Sequence, residues 1–67
     1  MPQISLEAAR VNAHMTQPEW AEALGVRTTT IVSWEKGRTE PTLSQVRKIS
    51  ELSGIPMDFI FVPIKSE

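Results

Sequence analysis

The chain has no cysteine, a single histidine and no excess of positive charge. It also lacks any apolar run approaching 18 residues. Each absence excludes something. Without cysteine there is neither a disulfide nor a thiolate zinc site to staple the fold. The lone His14 is read as a helix-ending residue in a left-handed or bridging conformation, not as a metal ligand or catalyst. No stretch is long and apolar enough to span a bilayer, and no basic segment followed by an apolar one opens the chain. A cytoplasmic protein with no membrane partner is therefore expected. There is no glycine-rich phosphate loop, and neither Ser33 nor Ser44 has a base to pair with, so no enzyme and no cofactor are expected. Seven lysines and arginines against eight carboxylates give a net charge of −1. That balance weighs against binding nucleic acid, because counterion release from phosphates calls for a basic surface.

What is present softens the last exclusion. Arg27, Lys36 and Arg38 bracket one short segment, whereas Glu7, Glu19, Glu22, Glu51, Asp58 and Glu67 lie mostly elsewhere. Local sign matters more than the total. With 67 residues the chain supports one domain, taken as residues 1–61 with a short tail at 62–67. Burial in so small a core supplies only about 3–5 kcal/mol, so an idealised helical bundle or a dimer is expected.

Gln17, Ala21, Gly25, Ile31 and Trp34 have the spacing that two short helices need to cross tightly. They predict a helix over about 17–24, a turn at Gly25, Val26 and Arg27, and a second helix over about 28–36, a helix-turn-helix. Ala21 is small where the helices cross, and Gly25 sits where the chain reverses through positive φ. Trp20, Leu24, Val26, Ile31 and Trp34 face a common core, which also removes both tryptophans as stacking platforms for single strands. At about 100° per residue, Thr28, Thr29, Val32, Ser33 and Lys36 fall on the opposite side of the second helix. These are mostly short side chains ending in a hydroxyl or methyl, so the helix is slim enough to lie in a DNA major groove against base edges. The β-branched run from Val26 to Trp34 would also suit a strand, but Ile31 and Trp34 repeat at helical spacing and the run has no period-2 alternation.

Around this pair the sequence places three further helices. Ser5 caps a first one, carrying Leu6, Ala9, Arg10 and Ala13 on one face, with Arg10 the odd member of an apolar stripe. Thr16 with Glu19, and Thr42 with Gln45, are capping boxes. The fourth helix turns Leu43, Val46, Ile49 and Leu52 inward and ends at Gly54. Pro56 to about Phe61 is read as a short fifth helix, with Phe59 and Ile60 closing the core. Phe61, Val62 and Ile64 are apolar enough to suggest a dimer contact or a self-packed strand.

From Leu6 to Ile60 these residues resemble the Xre-type helix-turn-helix proteins, which include Cro and the DNA-binding domains of phage repressors. The specific pieces are Thr16 and Gln17 with Ala21, Leu24 and Gly25, then Ile31, Trp34, Glu35, Gly37 and Pro41, and the Gly54, Ile55, Pro56 close. The resemblance implies an all-α, five-helix bundle that binds a palindromic operator in double-stranded DNA as a homodimer, in a bacterial or phage-infected cytoplasm. It implies base reading by Thr28, Thr29 and Ser33, with Val32 on the same face; Arg27, outside the family pattern, is read as binding a phosphate in preference to a guanine. Phosphate contacts are implied for Thr16, Gln17, Lys36, Gly37, Arg38 and Thr39, with main-chain N–H groups near Gly37 taking part. Arg10 and Glu35 match a pair that forms a buried salt bridge in many members.

The chain departs from the family pattern at Arg27, where a hydroxyl cap is usual, at Glu40 in an often basic loop, and in having no long amide or arginine base reader. Modest affinity and specificity through hydroxyl and methyl contacts follow. Glu19 and Glu22 are candidate contacts for RNA polymerase. The rival reading is an antitoxin or protein-interaction module on the same bundle without strong DNA binding of its own.

Overall fold

Ser5 closes a two-residue strand and opens a helix in the same step. The computed structural model describes residues 3–61, beginning with strand β1 (Ile4–Ser5) and helix α1 (Leu6–Asn12). The Ser5 Oγ accepts the Ala8 N–H at 3.0 Å, satisfying one of the donors that a helix start leaves open. The helix ends at His14, whose φ of 59° is left-handed. His14 N–H donates to Val11 O at 3.0 Å and Met15 N–H to Arg10 O at 3.3 Å, which together form a Schellman motif.

Helix α2 (Gln17–Leu24) starts with a complete capping box and Pro18 in its first turn. Thr16 N–H donates to Glu19 Oε1 at 2.8 Å while Glu19 N–H donates to Thr16 Oγ1 at 3.3 Å. Helix α3 (Thr28–Glu35) follows after Gly25, Val26 and Arg27. Helix α4 (Leu43–Ser53) repeats the capping box with Thr42 and Gln45 and ends at Gly54. A single 3-10 turn (Met57–Phe59) then leads into strand β2 (Ile60–Phe61), which pairs in parallel with β1, Ile4 opposite Ile60 and Ser5 opposite Phe61.

Among the described residues the bundle therefore has four α-helices, not five. Between Pro56 and Ile60 there is room for one turn only, closed by Phe59 N–H to Pro56 O at 2.9 Å. A single turn cannot repay the cost of nucleating an α-helix in isolation. Ile60 then takes extended angles, φ −89° and ψ 120°, where its β-branched side chain is favoured and its backbone gains a ladder partner in β1. That ladder joins the two ends of the described chain; a self-packed strand was one expectation for Phe61, but its partner in β1 was not foreseen from sequence. Residues 62–67, including Val62 and Ile64 of the tail, lie outside the described residues.

The core is a continuous cluster of Leu6, Ala9, Trp20, Ala21, Ile31, Trp34, Ile49, Ile55 and Ile60. Ile31 and Ile49 are fully buried, so truncating either to alanine costs about 2–5 kcal/mol. Trp20 and Trp34 are 1% and 4% exposed, which commits both to packing. Among the described residues the buried indole Nε1 of Trp20 meets no hydrogen-bond partner, and a buried donor left unpaired costs a fold about 1–3 kcal/mol. Leu43, expected inward, is instead 67% exposed. Six residues before Ile49, it is rotated by about 120° from that core-facing position. The inward stripe of α4 therefore begins at Val46.

Candidate nucleic-acid interface

The two central helices meet more extensively than any other pair of elements, and the turn between them is set by hydrogen bonds to backbone carbonyls. Gly25 has φ 71° and ψ 31°. Its N–H donates to Glu22 O at 3.2 Å and the Val26 N–H donates to Ala21 O at 2.9 Å, a second Schellman motif. Nothing lies within 4 Å of where a Cβ at Gly25 would sit. Glycine is needed there for its backbone angles and not for space. Ala21, 4% exposed, lets α3 approach the α2 backbone, and overfilling this position costs about 1–3 kcal/mol.

Helix α3 is pinned from behind by Ile31, 0% exposed, and Trp34. On its outer side Arg27, Thr29 and Lys36 are exposed, while Thr28, Val32 and Ser33 are half-buried. The β-branched run is thus a helix because two buried side chains at i and i+3 hold it, against a weak local preference. Arg27 occupies the N-cap position without a capping hydrogen bond. Its guanidinium remains available to a ligand at the start of the helix.

The far end of α3 is tied to two other elements through one carboxylate. Arg10 Nε donates to Glu35 Oε2 at 2.7 Å, and Arg10 Nη2 reaches Glu35 Oε1 at 3.4 Å. Gln17 Nε2 donates to Glu35 Oε1 at 2.9 Å. Arg10 Nη1 also donates to Met15 O at 3.0 Å, in the segment between α1 and α2. The Arg10 and Glu35 side chains are 13% and 7% exposed. The hydrogen bond that Arg10 donates to the Glu35 carboxylate raises the Arg10 pKa above its ordinary value, against the opposing effect of burial. The cation persists throughout the pH range in which a protein folds. A carboxylate at a helix C-terminus is opposed by the helix dipole, and the buried guanidinium offsets this.

The expected phosphate-contacting residues divide by what already occupies their polar groups. Thr16 directs both its N–H and its hydroxyl to Glu19 Oε1, at 2.8 and 3.2 Å. Gly37, with φ 75°, ends α3 in a third Schellman motif: its N–H donates to Trp34 O at 3.1 Å and the Arg38 N–H to Ser33 O at 2.9 Å. Those two amides face their own helix, so any main-chain contact expected near Gly37 falls to the residues that follow them. The reason is local: the reversal that ends α3 consumes the first donors after it. The side chains of Lys36, Arg38 and Thr39 are exposed around this reversal.

A concavity beside α3 is lined by Thr29, Thr30, Ser33, Trp34, Thr39 and Gln45. It brings together predicted residues from the helix and the following loop. Thr30 and Gln45 join them without having been singled out as site residues. Gln45 gave only the signal of its capping box, and nothing in the sequence says that the first turn of α4 borders the outer face of α3. Its Oε1 accepts the Thr42 N–H at 2.7 Å, which orients the amide and leaves Nε2 as a donor.

The helix-turn-helix family profile matches residues 6–60. An uncharacterized HTH-type transcriptional regulator of Methanocaldococcus jannaschii is 35% identical over 57 residues, covering 85% of this chain and 86% of the relative. A protein of the same description from Archaeoglobus fulgidus is 40% identical over 53 residues, 79% of this chain and 75% of the relative. The Type II methyltransferase M.SsoII of Shigella sonnei is 34% identical over 55 residues, which are 78% of this chain and only 14% of that protein. No solved structure matches at a significant level. Among the described residues no helix is long and apolar enough to cross a membrane. The profile match begins at the first residue of α1 and reaches into β2, and two relatives are covered over most of their length. The chain belongs to the Cro/C1-type helix-turn-helix family.

Proposed function

We propose that this protein is a sequence-specific transcriptional regulator of the Cro-like or phage-repressor kind. In this reading it binds a palindromic operator in double-stranded DNA as a homodimer and places helix 28–36 in the major groove. The observation that carries this reading is the outer face of α3, where Thr28, Thr29, Val32 and Ser33 form a slim surface backed by buried Ile31 and Trp34. The description of two relatives as transcriptional regulators supports it.

Thr28, Thr29, Val32 and Ser33 read base edges and thymine methyls. Arg27, free of any capping duty, contacts a phosphate or a guanine at the edge of the site. Gln17 donates to a phosphate through the second proton of the amide that already holds Glu35. Lys36, Arg38 and Thr39 contact the backbone on the other side, and Gly37 sets their loop. Thr16 fixes the start of α2. Of the two acids proposed to meet RNA polymerase, Glu22 is the available one, since the Glu19 carboxylate is engaged in its capping box.

The test is selection of bound duplexes from a random library, followed by titration of the best duplex at several salt concentrations. A two-fold symmetric site and a log-log salt slope of about −4 to −5 are expected for a dimer neutralising two or three phosphates per subunit. The double variant Thr29→Glu, Ser33→Glu should bind no duplex. If it binds as wild type does, or if wild type binds no duplex even at low salt, the DNA reading is wrong and the protein-interaction alternative takes its place.

A further inference from the structure

The outer face of α3 carries Thr28, Thr29, Val32 and Ser33, Thr29 exposed and the others half-buried. Their side chains end in hydroxyl and methyl groups, and none is an amide, a carboxylate or a guanidinium. In a major groove that composition has a definite consequence. A hydroxyl both donates and accepts, and it turns to suit its partner. It therefore meets the O4 of thymine and the N4 amino group of cytosine about equally well. What separates the two pyrimidines for such a face is the methyl group at C5, which thymine has and cytosine lacks. Methylation of cytosine at C5 puts the same apolar group at the same place in the groove. Thr29 and Ser33 also line the concavity beside α3 with Thr30, Trp34, Thr39 and Gln45, six uncharged residues. That recess offers no cation to a phosphate and suits an apolar substituent on a base edge.

We infer that α3 reads the C5-methyl group of a pyrimidine and not the group at C4, so that 5-methylcytosine takes the place of thymine in the duplex this protein binds. The inference rests on the DNA reading and names the chemistry to which its recognition helix responds. C5 methylation of cytosine then creates or strengthens sites for this protein, a switch carried by the DNA. Val32 is the residue most committed to this contact, because its side chain has no polar group to offer a base. Its neighbour Ile31 is fully buried, which fixes the rotation of α3. Branching at Cβ leaves Val32 little χ1 freedom in a helix, so its methyl groups are held in place at small entropic cost. Thr28, four residues earlier, lies on the same side of the helix and adds another methyl group.

The duplex obtained by selection, synthesised with single replacements and titrated by fluorescence anisotropy, tests the assignment. Deoxyuridine in place of each thymine in turn removes only the C5-methyl group. At the thymines that α3 reads it should weaken binding about fourfold, the value of one methyl group taken out of water. At those positions a cytosine–guanine pair should bind about as weakly as the uracil pair. A 5-methylcytosine–guanine pair should recover affinity to within about twofold of thymine. Val32→Ala should abolish the methyl response at one position of each half-site and keep it at the others, the helix being preserved because alanine is the better helix former. Val32→Thr, which retains a methyl group, should restore it. Uracil that binds as well as thymine at every position, or 5-methylcytosine that binds no better than cytosine, overturns the inference and leaves the DNA reading standing, since the duplex is still bound. If none of Val32→Ala, Thr28→Ser and Thr29→Ser alters the response at any position, α3 does not read the methyl group and the inference falls. A wild type that binds no duplex removes the DNA reading and this inference with it.

Discussion

Gln17 and Glu35, the first residue of α2 and the last of α3, are joined by a 2.9 Å hydrogen bond from Nε2 to Oε1. The same Oε1 lies 3.4 Å from Arg10 Nη2, so one carboxylate fixes three parts of the chain at once. A residue proposed to touch phosphate is thereby coupled to the end of the helix proposed to read bases. The two helices cannot shift relative to one another without breaking the Gln17–Glu35 hydrogen bond.

Arg10→Ala should therefore cost about 3–5 kcal/mol, the range for removing one partner of a buried pair and stranding the other. Replacing both partners, Arg10→Met with Glu35→Leu, should recover much of that loss, because no charge is then left buried. Urea unfolding followed by tryptophan fluorescence reads both. A loss below about 1 kcal/mol for Arg10→Ala would mean that Arg10 behaves as a solvated surface residue.

Gln17→Ala should lower stability by about 0.5–1.5 kcal/mol, the net value of one hydrogen bond, and should weaken DNA binding without changing the salt slope, since a neutral group is removed. Gln17→Glu should be less stable than Gln17→Ala at neutral pH, because a second carboxylate faces Glu35. A carboxyl group whose folded pKa is raised adds stability below its unfolded pKa of about 4.3 and loses it as the pH rises. The gap between the two variants should therefore close on acidification. Paired denaturation curves at neutral and mildly acidic pH test the sign.

His14→Gly should stabilise the fold by about 0.5–1 kcal/mol. A non-glycine residue at φ 59° carries a penalty of about 1–2 kcal/mol, part of which is returned through the greater freedom of glycine in the unfolded chain. DNA affinity should be unchanged. A destabilised variant would show that the His14 side chain contributes an interaction that outweighs its backbone strain.

Gly25→Ala should cost about 1–2 kcal/mol from left-handed strain alone, since a Cβ there meets no neighbour. Gly25→Asn should cost less, asparagine being better tolerated in that region. Equal losses in the two variants would point to crowding at the turn and contradict the open surroundings of Gly25.

Much of the architecture could be read from local chemistry. The caps at Ser5, Thr16 and Thr42 and the left-handed reversals at His14 and Gly25 each involve groups within about six residues of one another. Their outcome depends on backbone valences and side-chain length, which any single sequence displays. The helical spacing of Ile31 and Trp34 likewise overrode a β-branched composition. The exposed position of Leu43 was missed because four residues spaced by three look like a stripe, although the outermost has rotated out of it. The strand at Ile60 was missed because its partner, Ile4, is 56 residues away in the sequence.

What the sequence by itself determined, then, is where helices begin and end and which of their faces are apolar, because those depend on the 100° turn per residue and on donors that must be satisfied nearby. Tertiary structure alone decided which distant groups share one place. It set Gln45 beside the outer face of α3, bound Gln17 to the carboxylate that Arg10 holds, and paired the two ends of the described chain. These contacts form only when the core brings remote segments together, and no local propensity encodes a distance between residues that meet solely through packing.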